Sequence, residues 1–349
     1  MKKIGFLSFG HWQNARGSQT LTAQDALLQT IDLAVAAEEI GIDGAYVRVH
    51  HFAQQLASPF PLLSAIAART KRIEFGTGVI DMRYENPLYL AEEAAVTDLI
   101  SNGRLQLGIS RGSPEPALRG WEAFGYPSSA DPRSAEMARS KTDVFLHAVT
   151  GADVVDANPE MTGNPGRLSI QPQSPTLTQR IWWGAGTRQT AVWAAQKGMN
   201  LMSSTLLTEE TGLSFSELQA EQIRLYRQAF AEAGWGRQPR VSVSRSVLPI
   251  LDDVDRQYFG AGGGRNSQDQ VGYIDGFLSR FGKTYVGEPD AIARELAQDE
   301  AVAMADTLLV TVPNQLGVQY NAKLLRTIAE HIAPAIGWRR AGGGSSETA

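Results

Sequence analysis

Short apolar stretches alternate with longer helical patterns about eight times along this chain of 349 residues. A chain of that kind must lay strands side by side with helices crossing between them. The strand signals are KIGFLSF, GAYVRVH, RIEFGTGVI, RLQLGIS, RIWWGA, MNLMSS, VSVSRSVLPI and DTLLVTV. Helix boundaries are marked between them. Thr22 with Asp25 reads as a capping box for a helix ending near Gly41, and Asn86 with Pro87 reads as an N-cap followed by a first-turn proline. Gly103 suits a left-handed stop. Eight strand–helix units predict a (β/α)8 barrel, with functional residues at the C-terminal strand ends. The rival is a doubly wound open sheet. No Gly-x-Gly-x-x-Gly follows the first strand, and GAGTRQ at 184–189 lacks the third glycine and an acidic residue where that motif needs one.

The pattern is expected to form one barrel domain over residues 1–338, with a disordered tail at 339–349. Two long loops interrupt it, RGSPEPALRGWEAFGYPSSADPR at 111–133 and FGAGGGRNSQDQVG at 259–272, and loops of that length are expected to be functional lids or disordered. Composition narrows the partners. The net charge is -5 and no run of Lys or Arg occurs, which argues against nucleic acid or anionic membrane. There is no cysteine, so disulfides, thiolate zinc sites and thiol nucleophiles are excluded. No segment reaches the roughly 18 apolar residues of a membrane helix, and MKKIGFLSFGHWQN reads as a first strand rather than a leader. A cytoplasmic protein is expected.

Strand alternation assigns faces. In RLQLGIS, Leu105, Leu107 and Ile109 share the face that meets the outer helices, leaving Gln106, Gly108 and Ser110 inward. In YVRVHHF, Val47, Val49 and His51 face out and Arg48 and His50 face in. His50 and His51 therefore point apart and are poorly placed to chelate one metal, so no metal site is expected. For His50 two readings stay open, a hydrogen-bonded core histidine or a proton-handling group at a strand end. His51 reads as packing. Glu74 shares inward parity with Arg48 on the neighbouring strand, so a buried Arg48–Glu74 ion pair is expected. In WWGAGTRQTAVWAAQKG, Gly184 and Gly186 permit close backbone approach and Thr187 can cap the following helix. Such a turn can bind an anion with help from Arg111 and Arg133, or can be an ordinary strand-to-helix connection.

The segments HHF at 50–52, GTGVI at 76–80, NPLYLAEEAAVTDLISNGRLQLGISRG at 86–112 and GAGTRQTAVWAAQKG at 184–198 carry a resemblance to the bacterial luciferase-like flavin monooxygenases, over nearly the whole chain. The long segment, with Pro87, Glu92, Asp98, Gly103, Arg104 and Arg111, is its most specific part. The resemblance implies a luciferase-like TIM barrel that uses reduced FMN from a separate, transiently bound flavin reductase, with deazaflavin F420 as the alternative cofactor. It implies acid–base chemistry at His50 and a ring-contacting strand end at Ser110. It further implies a cis Gly78–Val79 peptide against the ring, and phosphate contacts from Arg111, Arg133, Gly186, Thr187 and Thr190. Two positions depart from the luciferase pattern, with Val49 in place of an acidic residue and Thr205 in place of a tryptophan.

The expected function is oxygen-dependent oxidation of a small organic substrate, an aldehyde among the candidates, with Ser110 positioning the ring and residues 260–264 excluding water. A homodimer is expected. The alternatives are an F420-dependent oxidoreductase on the same barrel and a non-catalytic flavin-binding subunit.

Overall fold

The structure is a computed structural model, and it describes residues 2–112, 115–127, 134–209, 211–260, 268–274 and 277–340. All eight expected strands form: β1 (Lys3–Ser8), β2 (Gly44–Val47), β3 (Glu74–Thr77), β4 (Leu105–Ser110), β5 (Ile181–Ala185), β6 (Asn200–Ser203), β7 (Val241–Pro249) and β8 (Thr307–Val312). They pair in parallel in that order. The ring closes because β6 pairs β7 and β8 pairs β1, which makes a closed eight-stranded barrel rather than an open sheet. Residues Ile80–Asp81 add a short pairing to the end of β4.

The crossing helices follow the capping signals. Helix α1 (Ala23–Ile40) starts with the Thr22–Asp25 capping box and stops at Gly41, whose φ of 99° is open to glycine. After α2 (Pro59–Arg69), helix α3 (Pro87–Ile100) begins where the Asn86 side chain accepts from the N–H groups of Leu88 and Tyr89. Helices α4 (Ala135–Val149), α5 (Arg188–Gln196), α6 (Phe215–Glu232), α7 (Pro289–Gln298) and α8 (Gly317–Thr327) complete the outer layer.

Two cores result, because each strand has two faces. Leu105, Leu107 and Ile109 join Val47 and Val49 in the large core between strands and helices. Leu7, Tyr46, Trp182, Met202 and Leu309 plug the barrel interior. The inward parity of Gln106 is borne out by the Trp182 indole N–H, which donates to its side-chain oxygen at 2.9 Å.

The Arg48–Glu74 pair does not form. The carboxylate of Glu74 takes Lys3 Nζ at 2.5 Å and Arg240 Nη2 at 2.9 Å. Parity was right and height was wrong: register sets Glu74 opposite Gly44, while Arg48 follows Val47, which lies opposite Thr77. At about 3.3 Å per residue, four residues put Arg48 roughly 13 Å further up the barrel. Burial pushes the Glu74 carboxyl up, but Arg240 and Lys3 outweigh it and hold the group below its ordinary value.

The segment after β7 is also more ordered than a long loop. A helix at Asp253–Phe259 is followed by strands Gln270–Ile274 and Phe277–Phe281, which pair antiparallel, the second also with Leu206–Leu207. Residues 261–264 of the glycine-rich stretch lie outside the described residues. In the expected tail, Arg340 donates to the Glu39 carbonyl and Arg339 to that of Pro334; residues 341–349 lie outside the described residues. Among the described residues no helix is long and apolar enough to cross a membrane.

The most specific stretch of the family resemblance turns out to hold the barrel together. Arg104 donates to Thr70, Ile73 and Ala67, tying the end of α2 to β4. Asp98, fully buried, accepts from the Leu105 N–H, the Ser174 hydroxyl and Arg180. Breaking such a buried, hydrogen-bonded pair costs about 3–5 kcal/mol.

Candidate active site

The C-terminal strand ends collect small inward residues on one side of the mouth and polar ones on the other. On the first side, Gly78 follows β3, Gly108 lies in β4, Gly184 lies near the end of β5 and Gly186 follows it. The Gly78–Val79 peptide is cis, as the resemblance implied. The Val79 side chain fills space that a residue larger than glycine at 108 or 184 would claim. At Gly186 a Cβ would meet only the Leu206 carbonyl oxygen, at 3.3 Å. Gly78, Gly108 and Gly184 are close-packed against Leu7, Val79 and Ser110, so this side of the mouth carries little side-chain bulk. Ser110 is buried at its edge and accepts from the Gly112 N–H at 2.8 Å.

The polar side is built on the residues that directly follow β1 and β2. His50 is buried, with Nδ1 3.1 Å from Glu115 Oε1. The other carboxylate oxygen, Oε2, accepts from the His51 backbone N–H at 3.0 Å. The Arg48 guanidinium lies 4.7 Å over the Phe9 ring, and His11 stacks on the same ring at 5.8 Å. Burial, and then the charges of Arg48 and His50, pushes the His11 imidazole below its usual value. Burial likewise lowers Arg48, against the pull of Glu115.

His51 points the other way. Its ring stacks on Tyr84 at 4.2 Å and meets Phe124 edge-on at 5.0 Å. Burial lowers it despite Glu115 nearby. Tyr84 continues to Trp121, whose face receives Arg83 at 4.4 Å. Arg83 in turn grips the buried Asp81 at 2.6 Å. Trp121 and Phe124 thus dock the described part of the segment between β4 and α4, and Glu115 of the same segment reaches His50. Among the described residues no three His, Asp or Glu side chains gather as a metal site.

The start of α5 is as capped as the sequence implied. Thr187 Oγ accepts from the Thr190 N–H at 3.2 Å, and the two hydroxyls lie 3.0 Å apart. One of the free N–H groups has a protein partner that sequence reading did not anticipate: Glu209 accepts from the Arg188 N–H at 2.8 Å and from its side chain at 3.2 Å. Arg111 follows Ser110 directly, beside the end of β5 by continuation of the β4–β5 register. Arg133 lies outside the described residues.

Sequence reading missed Glu115, Glu209 and the Asp81–Arg83 pair. All three carboxylates sit outside the strand interiors, where no periodicity marks them. The only available signal for Glu115 was a carboxylate inside a loop already flagged as long.

The chain matches the luciferase-like monooxygenase family over residues 4–258 and belongs to that family. It is 30% identical over 247 residues to the uncharacterised protein YwcH of Bacillus subtilis, across 70% of this chain and 68% of that one. It is 30% identical over 207 residues to the oxygenase component of the flavin-dependent trigonelline monooxygenase of Acinetobacter baylyi, across 58% of this chain and 54% of that protein. The match thus spans just over half of the trigonelline enzyme component. The fold superposes with a TM-score of 0.67 on the oxygenating constituent of 3,6-diketocamphane monooxygenase from Pseudomonas putida, in complex with FMN. That superposition covers 96% of this chain and 99% of the other at 17% identity.

Proposed function

We propose that this chain is the oxygenase component of a two-component monooxygenase. It would accept reduced FMN from a separate reductase and insert one atom of O2 into a small organic substrate, the other atom leaving as water. The observation that carries this reading is the pairing of a glycine floor with a buried, carboxylate-held imidazole across one barrel mouth. Family membership supplies the class of cofactor, and the floor at Gly78, Val79, Gly184 and Gly186 fits a planar ring system.

Reduced FMN supplies the electrons that activate oxygen. On this reading Gly78, Val79 and Ser110 would support the ring, and Arg111, Gly186, Thr187 and Thr190 would hold the phosphate, with Arg133 as a fifth contact. Glu209 at the Arg188 N–H would share that helix start with any phosphate. His50 takes or returns a proton at the nitrogen facing the mouth. Phe9, with Arg48 and His11 stacked on it, walls the polar side and limits water.

Stoichiometric trials with chemically reduced FMN and with reduced F420 test the reading directly. Tight binding of reduced FMN, and oxygen consumption coupled to product from a panel of small ketones, aldehydes and heteroaromatics, is the expected result. Binding of F420 in preference to FMN, with no oxygen consumption, would replace it with an F420-dependent oxidoreductase.

A further inference from the structure

We propose that Glu115 is a positioning residue that decides which nitrogen of His50 carries the proton. The argument turns on what each group can donate. A backbone N–H only donates, so the His51 N–H fixes Glu115 Oε2 as its acceptor, at 3.0 Å. That contact sets the rotation of the carboxylate and leaves Oε1 at His50 Nδ1, 3.1 Å away. A carboxylate only accepts, so the proton of a neutral His50 must sit on Nδ1. The lone pair is then on Nε2. Both side chains are almost wholly enclosed, at 7% and 3% exposed, so water does not compete for either contact. The His50 backbone is held as well, its N–H donating to the Leu56 carbonyl at 2.9 Å.

The other charged groups around this imidazole do not set the tautomer. Arg48 and His11 lie on the mouth side and interact with His50 or Glu115 through charge alone. His51 presents its backbone to Glu115 and its ring to Tyr84 and Phe124. Glu115 comes from the loop after β4, not from a strand, so the tautomer depends on that loop being docked. Trp121 against Arg83 and Phe124 against His51 supply the docking. The lock itself is independent of any reaction; only its consequence for turnover rests on the proposed proton role of His50.

The test is Glu115→Gln, which keeps the size and removes one acceptor. The His51 N–H then claims the single amide oxygen, and the NH2 group faces His50 Nδ1. Nδ1 must become the acceptor, and the proton moves to Nε2. With only five histidines in the chain, 15N NMR of histidine-labelled protein can follow this, the His50 signals being assigned from a His50→Ala sample. The expected result is an Nδ1–H tautomer in the native protein and an Nε2–H tautomer in the folded variant. Turnover should fall about 100-fold or more, with KM changed far less. A native spectrum with the proton on Nε2 would overturn the proposal without any variant, and so would an unchanged tautomer in Glu115→Gln. Should Glu115→Gln fail to fold, Glu115→Ala should show His50 as a mixture of tautomers, and a retained Nδ1–H would overturn the lock. If the tautomer flips and turnover does not change, the lock stands and the proton role of His50 falls.

Discussion

Gly184 lies so close to Val79 that a Cβ added at 184 would come within 3.2 Å of both Val79 γ-methyls, and within 3.3 Å of the Ser110 Cβ. The two strand ends are therefore packed to the limit of glycine. The surface they present to the barrel mouth is a consequence of residue size rather than of any polar contact.

Gly184→Ala should accordingly strain the floor. Overpacking a filled site costs about 1–3 kcal/mol, so the melting temperature should drop and FMN affinity should fall with it. Removing the opposing methyls in Gly184→Ala/Val79→Ala should recover part of the loss, since residues in contact are non-additive. Thermal melts and flavin titrations on the three variants measure both effects. Additive losses would mean that the two residues do not share the space described.

Much of this architecture was legible because it depends on period and punctuation. Eight apolar runs gave eight strands, and Thr22, Asn86 and Thr187 capped the helices they precede, since a side-chain acceptor next to free N–H groups acts locally. Alternation correctly turned Arg48, His50 and Ser110 inward. It could not give height, and so it paired Arg48 with Glu74 when Glu74 belongs with Lys3 and Arg240 at the opposite end of the barrel. Arg240 immediately precedes β7, far from Glu74 in sequence, and nothing local connects them. Glu115 and Glu209 were invisible for the same reason. Each reaches its partner from a loop whose path is set by tertiary packing, Trp121 on Arg83 in the first case and the antiparallel strands near Leu206 in the second.

Glu85 should impose a pH dependence on stability. Burial first, then Glu93 and Asp81, raises its carboxyl from 4.5 to about 7, with Lys141 opposing. A raised folded value means that the native state holds a proton which the unfolded state has released between those two values. The stabilisation is complete below pH 4.5 and is lost as pH rises through about 7. Glu85→Gln should thus gain on the order of 2 kcal/mol over the native protein at pH 8 and little at pH 4. Urea denaturation at the two pH values checks it. An equal difference at both would show that Glu85 titrates normally.

Phosphate binding at α5 should be read out by comparing FMN with riboflavin, which lacks the phosphate. Glu209 occupies the Arg188 N–H, and a charge at a helix terminus is worth about 0.3–1 kcal/mol. Glu209→Gln should therefore tighten FMN roughly two- to fivefold and leave riboflavin unchanged. Thr187→Ala should weaken FMN more than riboflavin, because the cap that orders the donors is lost. Isothermal titration of both ligands decides the matter; parallel changes in the two affinities would place the phosphate elsewhere.

The adjacent histidines should separate cleanly into chemistry and packing. His50 has its Nδ1 held by Glu115, and no other described imidazole is as enclosed. A general acid–base group typically contributes 10²–10⁴-fold. His50→Ala should therefore lower kcat by about that range, with FMN affinity within a few-fold and the fold intact by circular dichroism. His51 touches Tyr84 and Phe124, and aromatic contacts of that kind are worth about 0.5–1.5 kcal/mol beyond their buried area. His51→Ala should lower the melting temperature. It should affect kcat only modestly at temperatures where the variant is folded, because its backbone N–H still orients Glu115. Single-turnover measurements with reduced FMN, oxygen and a turned-over substrate compare the two variants under conditions where both are folded. Should the His51 variant lose turnover while the His50 variant keeps it, the proton-handling group would sit on the aromatic side of the loop, and the Glu115 contact to Nδ1 would be a packing feature of the barrel mouth.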